Sequence, residues 1–214
     1  MSNSVVRDSL EGSWILDKTR GEWSMKEYLS TMDVDPLAIE AHEKGELEQD
    51  TIHTISFVKK VFKEENDDND EQDEDDMDTS EAIDHVKIVK RSRVNNDIAI
   101  ELPLEGERER VETLSPGNRT KKMKAKVPGP DRRDHLEIHS TLQTVNGVAT
   151  VIDVKKLVQE EESDGTPQSV MVQTLTITNT STGKSSTTTR HFKPYLETPP
   201  HLVPTTDAPA PRKK

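Results

Sequence analysis

The chain has 214 residues, of which 30% are hydrophobic and 33% charged, enough for one domain of ordinary size with polar extensions but thin for a chain packed throughout. Its 41 acidic side chains exceed its 29 basic ones, yet 11 of the acids fall in residues 64–78, EENDDNDEQDEDDMD, leaving 30 acids against 29 bases elsewhere. This balance offers no basic face for counterion release and argues against nucleic acid as a partner. Zero cysteines exclude a disulfide, a thiolate nucleophile and a cysteine-based zinc site.

The same lack of cysteine, an N-terminus without the apolar core of a secretory signal, and no run approaching the ~20 apolar residues of a membrane span predict a cytoplasmic chain that is not inserted in a membrane. Residues 1–9 read as a flexible N-terminus. Ser13 to Leu16 then reads as a first strand, and GEWSMKEYLSTM places Met25, Tyr28, Leu29 and Met32 at helical spacing, predicting about three turns. Asp35-Pro36 supplies an N-cap and a first-turn proline to a second short helix, LAIEAHEK, which Gly45 is placed to end.

From residue 50 the period becomes two, and TIHTISFVKKVF is rich in β-branched and aromatic residues. The acidic run that follows has nothing to bury and repels itself, so residues 64–83 are expected to form a disordered loop that interrupts the domain. Strand patterns then recur in HVKIVKRSRV, DIAIELPL, RERVETLS, TKKMKAKV, DHLEIHSTL, GVATVIDVKKLV, SVMVQTLTITNT and SSTTTRHFKP. Alternation sets Ile98, Ile100, Leu102 and Leu104 on one face, and Met123, Ala125 and Val127 on another.

The connectors, such as Ser115-Pro116-Gly117-Asn118 and Asn146-Gly147, are tight turns, so hairpins join these strands. Ten strands in a meander leave two raw edges unless they close. The expected fold is therefore mainly β, a ten-stranded up-and-down antiparallel barrel, capped by the helix-turn-helix and forming one domain over residues 10–196. Residues 197–214, ETPPHLVPTTDAPAPRKK, hold five prolines and read as a disordered tail.

One strand, a helix pair and nine further strands resemble the intracellular lipid-binding proteins, the cytosolic fatty-acid-binding and retinoid-binding barrels of the calycin superfamily. GSW is similar to that family's Gly-x-Trp opening, and MKEYLSTMDV to its helix signature, with Tyr28, Leu29, Met32 and Val34 matching in type. GERERVETLSPGNRTKKMKAKV resembles the stretch that leads through a turn into a lysine-rich strand, and TTTRHFKP the closing Thr-Arg-x-Tyr strand. Met25 stands where the family has phenylalanine, Asp33 where it has glycine, and Phe192 where it has a ligand-binding tyrosine. The family's second cation would fall near Asp153, with Lys155 and Lys156 close by.

The resemblance implies non-enzymatic binding, solubilisation and transport of a hydrophobic small molecule, a fatty acid or related carboxylated lipid, by a monomer without a cofactor. Parity puts Thr188, Arg190 and Phe192 on one face, and the resemblance makes that face interior. An arginine suits a buried carboxylate because its planar fork donates two parallel hydrogen bonds and keeps its charge. Two placements stay open for Arg190, on the ligand or over Trp14 as a cation–π partner; Lys193 is the other candidate cation for that ring.

Gly12 and Trp14 are expected to plug one end of the barrel. Met25, Tyr28, Leu29 and Leu37 are expected to pack over the mouth, with Met25, Tyr28 and Leu29 contacting ligand there. His135 and His139 share a face that parity turns outward, away from Leu136 and Ile138, so no metal or haem site is expected. No nucleophile elbow, phosphate loop or zinc-protease motif marks an enzyme. The alternative is a protein-interaction module with a filled barrel, whose acidic loop and proline-rich tail recruit basic protein partners.

Overall fold

The computed structural model describes residues 6–59, 83–92, 95–104, 109–114, 119–128, 133–144, 147–161 and 164–196. The expected loop at 64–83 and the tail at 197–214 lie outside the described residues, apart from Ile83.

Ten strands and two helices follow in the order β1 (Gly12–Gly21), α1 (Lys26–Thr31), α2 (Pro36–Glu48), β2 (Thr51–Lys59), β3 (Ile83–Ser92), β4 (Asn95–Pro103), β5 (Arg110–Leu114), β6 (Arg119–Lys126), β7 (His135–Thr144), β8 (Gly147–Glu161), β9 (Pro167–Asn179) and β10 (Ser185–Pro194). All pair antiparallel in one sheet, in the order β4-β3-β2-β1-β10-β9-β8-β7-β6-β5. β1 and β10 are thus neighbours, and the sheet curls into a nearly closed barrel in which β4 approaches β6 without a ladder joining β4 to β5. The expected fold is what the chain adopts.

The helices differ from expectation in length. α1 is only Lys26–Thr31, because Gly21 turns the chain at φ +62° and the Ser24 hydroxyl accepts from the Lys26 amide, making a turn where a first helical turn was expected. α2 begins as expected, with the Asp35 carboxylate accepting from the Leu37 amide at 2.9 Å. Gly45 does not end it. The helix runs on to Glu48 and stops where Gln49 becomes extended, while the Lys18 ammonium donates to the carbonyls of Leu47 and Gln49.

Asp33 explains its own departure from glycine. It is the one described non-glycine residue with positive φ, at 56°, a conformation that aspartate tolerates better than most residues. Its carboxylate is met by Lys184 Nζ at 3.1 Å and Asn179 Nδ2 at 3.3 Å, which fixes the link between the helices to the end of β9.

Alternation along each strand builds two apolar clusters. The larger fills the base of the barrel with Leu10, Trp14, Val86, Leu102, Leu136, Met171 and Phe192, all essentially inaccessible. Side chains of this size each contribute roughly 1.5–3 kcal/mol on burial. The smaller cluster, Leu142, Ala149, Val151, Leu175 and Ile177, lies under α1 and packs against Met25, Tyr28 and Met32. Between the clusters the inward face turns polar.

Trp14 is fully buried in the base cluster, its indole Nε1 donating to the Leu10 carbonyl at 2.8 Å. The cation on its ring is neither Arg190 nor Lys193. It is Arg7, whose guanidinium carbon sits 4.7 Å from the ring centroid. Lys193 instead pairs with Asp17 on the outer face at 3.2 Å. Arg7 was assigned by sequence to the N-terminal extension, but its amide donates to Ser169 Oγ at 2.7 Å and its carbonyl accepts from Gln159 Nε2 at 2.7 Å, so it is seated against β8 and β9.

Candidate functional site

Cross-strand register determines what meets inside the barrel. Arg190 of β10 lies opposite Gln173 of β9, and Gln173 opposite Lys155 of β8, so three polar side chains form one rung. On the other wall His53 of β2 lies opposite Lys90 of β3. Asp153, two residues before Lys155, shares its inward face. With Lys121 from β6 and Glu46 from α2, these side chains make a polar belt between the two apolar clusters.

A cavity of about 200 Å³ occupies this level, lined by the belt and by Met25, Tyr28, Ile98, Ile100, Met123, Ile138, Val151 and Leu175. Ile98 lines it and is 46% exposed, so the cavity reaches solvent near the end of β4. Among the expected ligand residues, Arg190, Met25 and Tyr28 line it. Thr188, Leu29 and Phe192 do not line it: Phe192 belongs to the base cluster and stacks on the His53 ring at 4.7 Å; Leu37, expected on the mouth, is instead 75% exposed in the first turn of α2.

Arg190 is 4% exposed and its Nη2 donates to Glu46 Oε1 in a very short contact. Glu46 is 3% exposed, so an acidic residue of the lid caps the buried guanidinium. The cap is incomplete. Among the described residues Arg190 Nε and Glu46 Oε2 have no hydrogen-bond partner, and His42 Nδ1 stands 3.8 Å from that oxygen. Burial lowers the Arg190 pKa, against the opposing pull of Glu46 and Asp153, and a guanidinium stays charged under such a shift.

Asp153 anchors the other half. Its Oδ2 is 2.6 Å from Lys155 Nζ, a close ion pair without an aligned hydrogen bond, and 3.8 Å from Lys90 Nζ, while Oδ1 accepts from Gln173 Nε2 at 2.9 Å. Burial pushes the Asp153 carboxyl up, but Lys155, Lys90 and Gln173 together hold it below its ordinary value, so it is ionised. Burial brings the Lys155 ammonium down to about 8, more than Asp153 restores. His53 is held well below its usual range by burial and by Lys90, Lys155 and Arg190, and is neutral. Burial, then the Asp153 charge, drives the Tyr28 phenol up.

Of the two lysines close to Asp153, Lys155 faces the interior and Lys156 points outward and is exposed. Glu46, His53, Lys90 and Lys121 were missed by sequence reasoning. The signal was present for the last three: strand parity puts His53 with Ile55 and Phe57, Lys90 with Val86 and Ile88, and Lys121 with Met123 and Ala125. Glu46 escaped because the helix was ended one residue before it.

His135 and His139 flank Glu137 on the outer surface, at 3.4 and 3.2 Å from its carboxylate. Among the described residues no three His, Asp or Glu side chains gather as a metal site would require, and no helix is long and apolar enough to cross a membrane. No protein-family model matches the chain, and no curated protein or solved structure matches it.

Proposed function

We propose that the chain is a non-enzymatic carrier of the intracellular lipid-binding type, working in the cytoplasm, which holds a carboxylated amphiphile inside its barrel. The observation that carries this reading is an interior cavity under a helical lid, beside a buried arginine that still has a free donor at Nε. A ligand carboxylate approaching the Nε edge of Arg190 meets a charge-assisted donor in a water-poor setting, where such bonds are strongest. Met25, Tyr28, Ile100 and Val151 offer the apolar wall for its first methylenes, each worth ~0.8 kcal/mol on burial. Asp153 and Glu46 are each paired to a cation, an arrangement suited to holding charge rather than moving a proton.

At about 200 Å³ the cavity lies below the roughly 300 Å³ at which ligand pockets begin. A long acyl chain therefore requires α2 to lift and the Glu46–Arg190 contact to part. The filled base favours the rival reading, an interaction module acting through residues 64–78 and the tail. Calorimetric titration with saturated fatty acids of six to eighteen carbons separates the two. Expected is binding that Arg190→Met weakens by at least about ten-fold, the value of one charged hydrogen bond. No uptake at any length, together with capture of a basic protein that deletion of 64–78 abolishes, would overturn the carrier reading.

A further inference from the structure

The positive charges of the belt outnumber the carboxylates. Arg190 is matched by Glu46. Asp153 is the interior carboxylate left to answer Lys155 and Lys90, at 2.6 and 3.8 Å, and Lys121, which lines the same cavity and makes no hydrogen bond or ion pair among the described residues. Glu112, opposite Lys121 in the ladder, draws on the Lys121 charge more than Asp153 does, but is itself paired with Arg110 at 2.9 Å. Three ammonium groups thus face Asp153 and a Glu112 whose charge Arg110 already balances. An excess of up to two charges in a partly desolvated cavity is costly, and it is relieved either by loss of a proton, toward which burial draws Lys155 and Lys121, or by a ligand that supplies the counter-charge.

A monocarboxylate supplies half of it. We propose that Lys90, Lys121 and Lys155 form an anion subsite that takes a phosphate monoester as its dianion, an inference that rests on the barrel interior being the ligand site. A phosphate monoester carries close to two negative charges at neutral pH and several acceptor oxygens, and rotatable ammonium groups reaching one cavity from β3, β6 and β8 suit a tetrahedral acceptor better than a planar one. The cavity is compact enough for a phosphate with a short apolar stub, and Ile100, Met123 and Ile138 give that stub a wall. His53 stays neutral in the field of Lys90, Lys155 and Arg190, as expected where the local potential is already positive.

The test compares octyl phosphate, octanoate and inorganic phosphate by calorimetry on the full chain at pH 7.5 and fixed ionic strength. Octyl phosphate is expected to bind at least about ten-fold tighter than octanoate, one extra ion contact's worth. Lys121→Met is expected to weaken octyl phosphate about ten-fold and octanoate about three-fold, since halving the ligand charge halves the electrostatic free energy lost. Thermal unfolding and the octanoate titration confirm that the variant is folded.

Inorganic phosphate binding as tightly as octyl phosphate assigns the subsite to soluble phosphates, and weaker binding assigns it to tailed ones; both support the proposal. Octanoate binding as tightly as octyl phosphate, or equal losses for the two in Lys121→Met, overturns the subsite and leaves the carrier reading standing. Octyl phosphate binding with octanoate silent overturns the fatty-acid reading alone. Silence from all three ligands overturns both.

Discussion

Lys155 shows how one buried residue sets a pH dependence. Its ammonium is inaccessible and its pKa is lowered to about 8 by burial, against a model-peptide value of ~10.4 for the unfolded chain. Below about 8 both states are protonated and the folded state carries the full desolvation cost; between the two values unfolding takes up a proton. Stability therefore rises with pH across that window. Chemical denaturation at pH 7.5 and 9.5 is expected to show a gain of ~2 kcal/mol, reduced or abolished in Lys155→Met. Stability that is flat or falling in the native chain over this range would show that the ammonium is better compensated than its place beside Asp153 implies. Glu46 works in the opposite sense for binding. Glu46→Gln removes the anion that occupies Arg190 Nη2, so octanoate affinity is expected to rise about ten-fold in titration. Glu46→Ala, leaving the guanidinium buried and alone, is expected to cost roughly 3–5 kcal/mol of stability in denaturant.

At the scale of elements, the base of the barrel depends on an N-terminal segment that the sequence assigned to an extension. Gly12 begins β1 at φ +112°, and a Cβ there would lie 2.2 Å from Arg7 Nη1, so the glycine is what lets the guanidinium rest on Trp14. Gly12→Ala is expected to cost roughly 2–4 kcal/mol, combining backbone strain with the lost cation–π contact. In an Arg7→Ala background the cost should shrink toward the strain alone, and a double-mutant cycle by thermal melts measures the difference; strict additivity would refute the coupling. The strands and their inward faces were legible because period-two patterns are dense: His53, Lys90 and Lys121 follow the parity of their apolar neighbours. The Arg7 contact was not legible, because a polar segment without periodicity gives no cue to its docking surface. Gly45 misled for a related reason. A glycine signals a helix end only when its backbone turns left-handed, and here Gln49 and the carbonyl contacts of Lys18 set the end instead. That one turn brings Glu46 over the barrel, so the error in an element boundary became an error in the site.

For the whole molecule, the relevant asymmetry is between a tightly laddered side and an open seam. β8 and β9 pair without a register break over thirteen residues each, and β9 continues into β10, whereas β4 and β5 end the sheet and no ladder joins them. The cavity lies toward that seam: Ile98 and Ile100 of β4 and Lys121 and Met123 of β6 line it, and β4 meets β6 directly. Local opening should follow the weakest pairing, since strands lacking a neighbour have fewer backbone hydrogen bonds to lose. Amide hydrogen exchange is expected to be slowest in β9, where Val170 to Ile177 are flanked on both sides, and faster in β4 and β5. A ligand held by Lys90 of β3, which pairs with Ile98 of β4, and by Lys121 of β6 bridges the two sides of the seam, so octyl phosphate should slow exchange at Ile98, Ile100 and Met123 while leaving β9 unchanged. Admission past the helices predicts the other pattern, with the protection falling on Pro36–Glu48 as α2 closes over the ligand. Protection confined to that helix would place the phosphate at Arg190 and the lid rather than at the lysines by the seam.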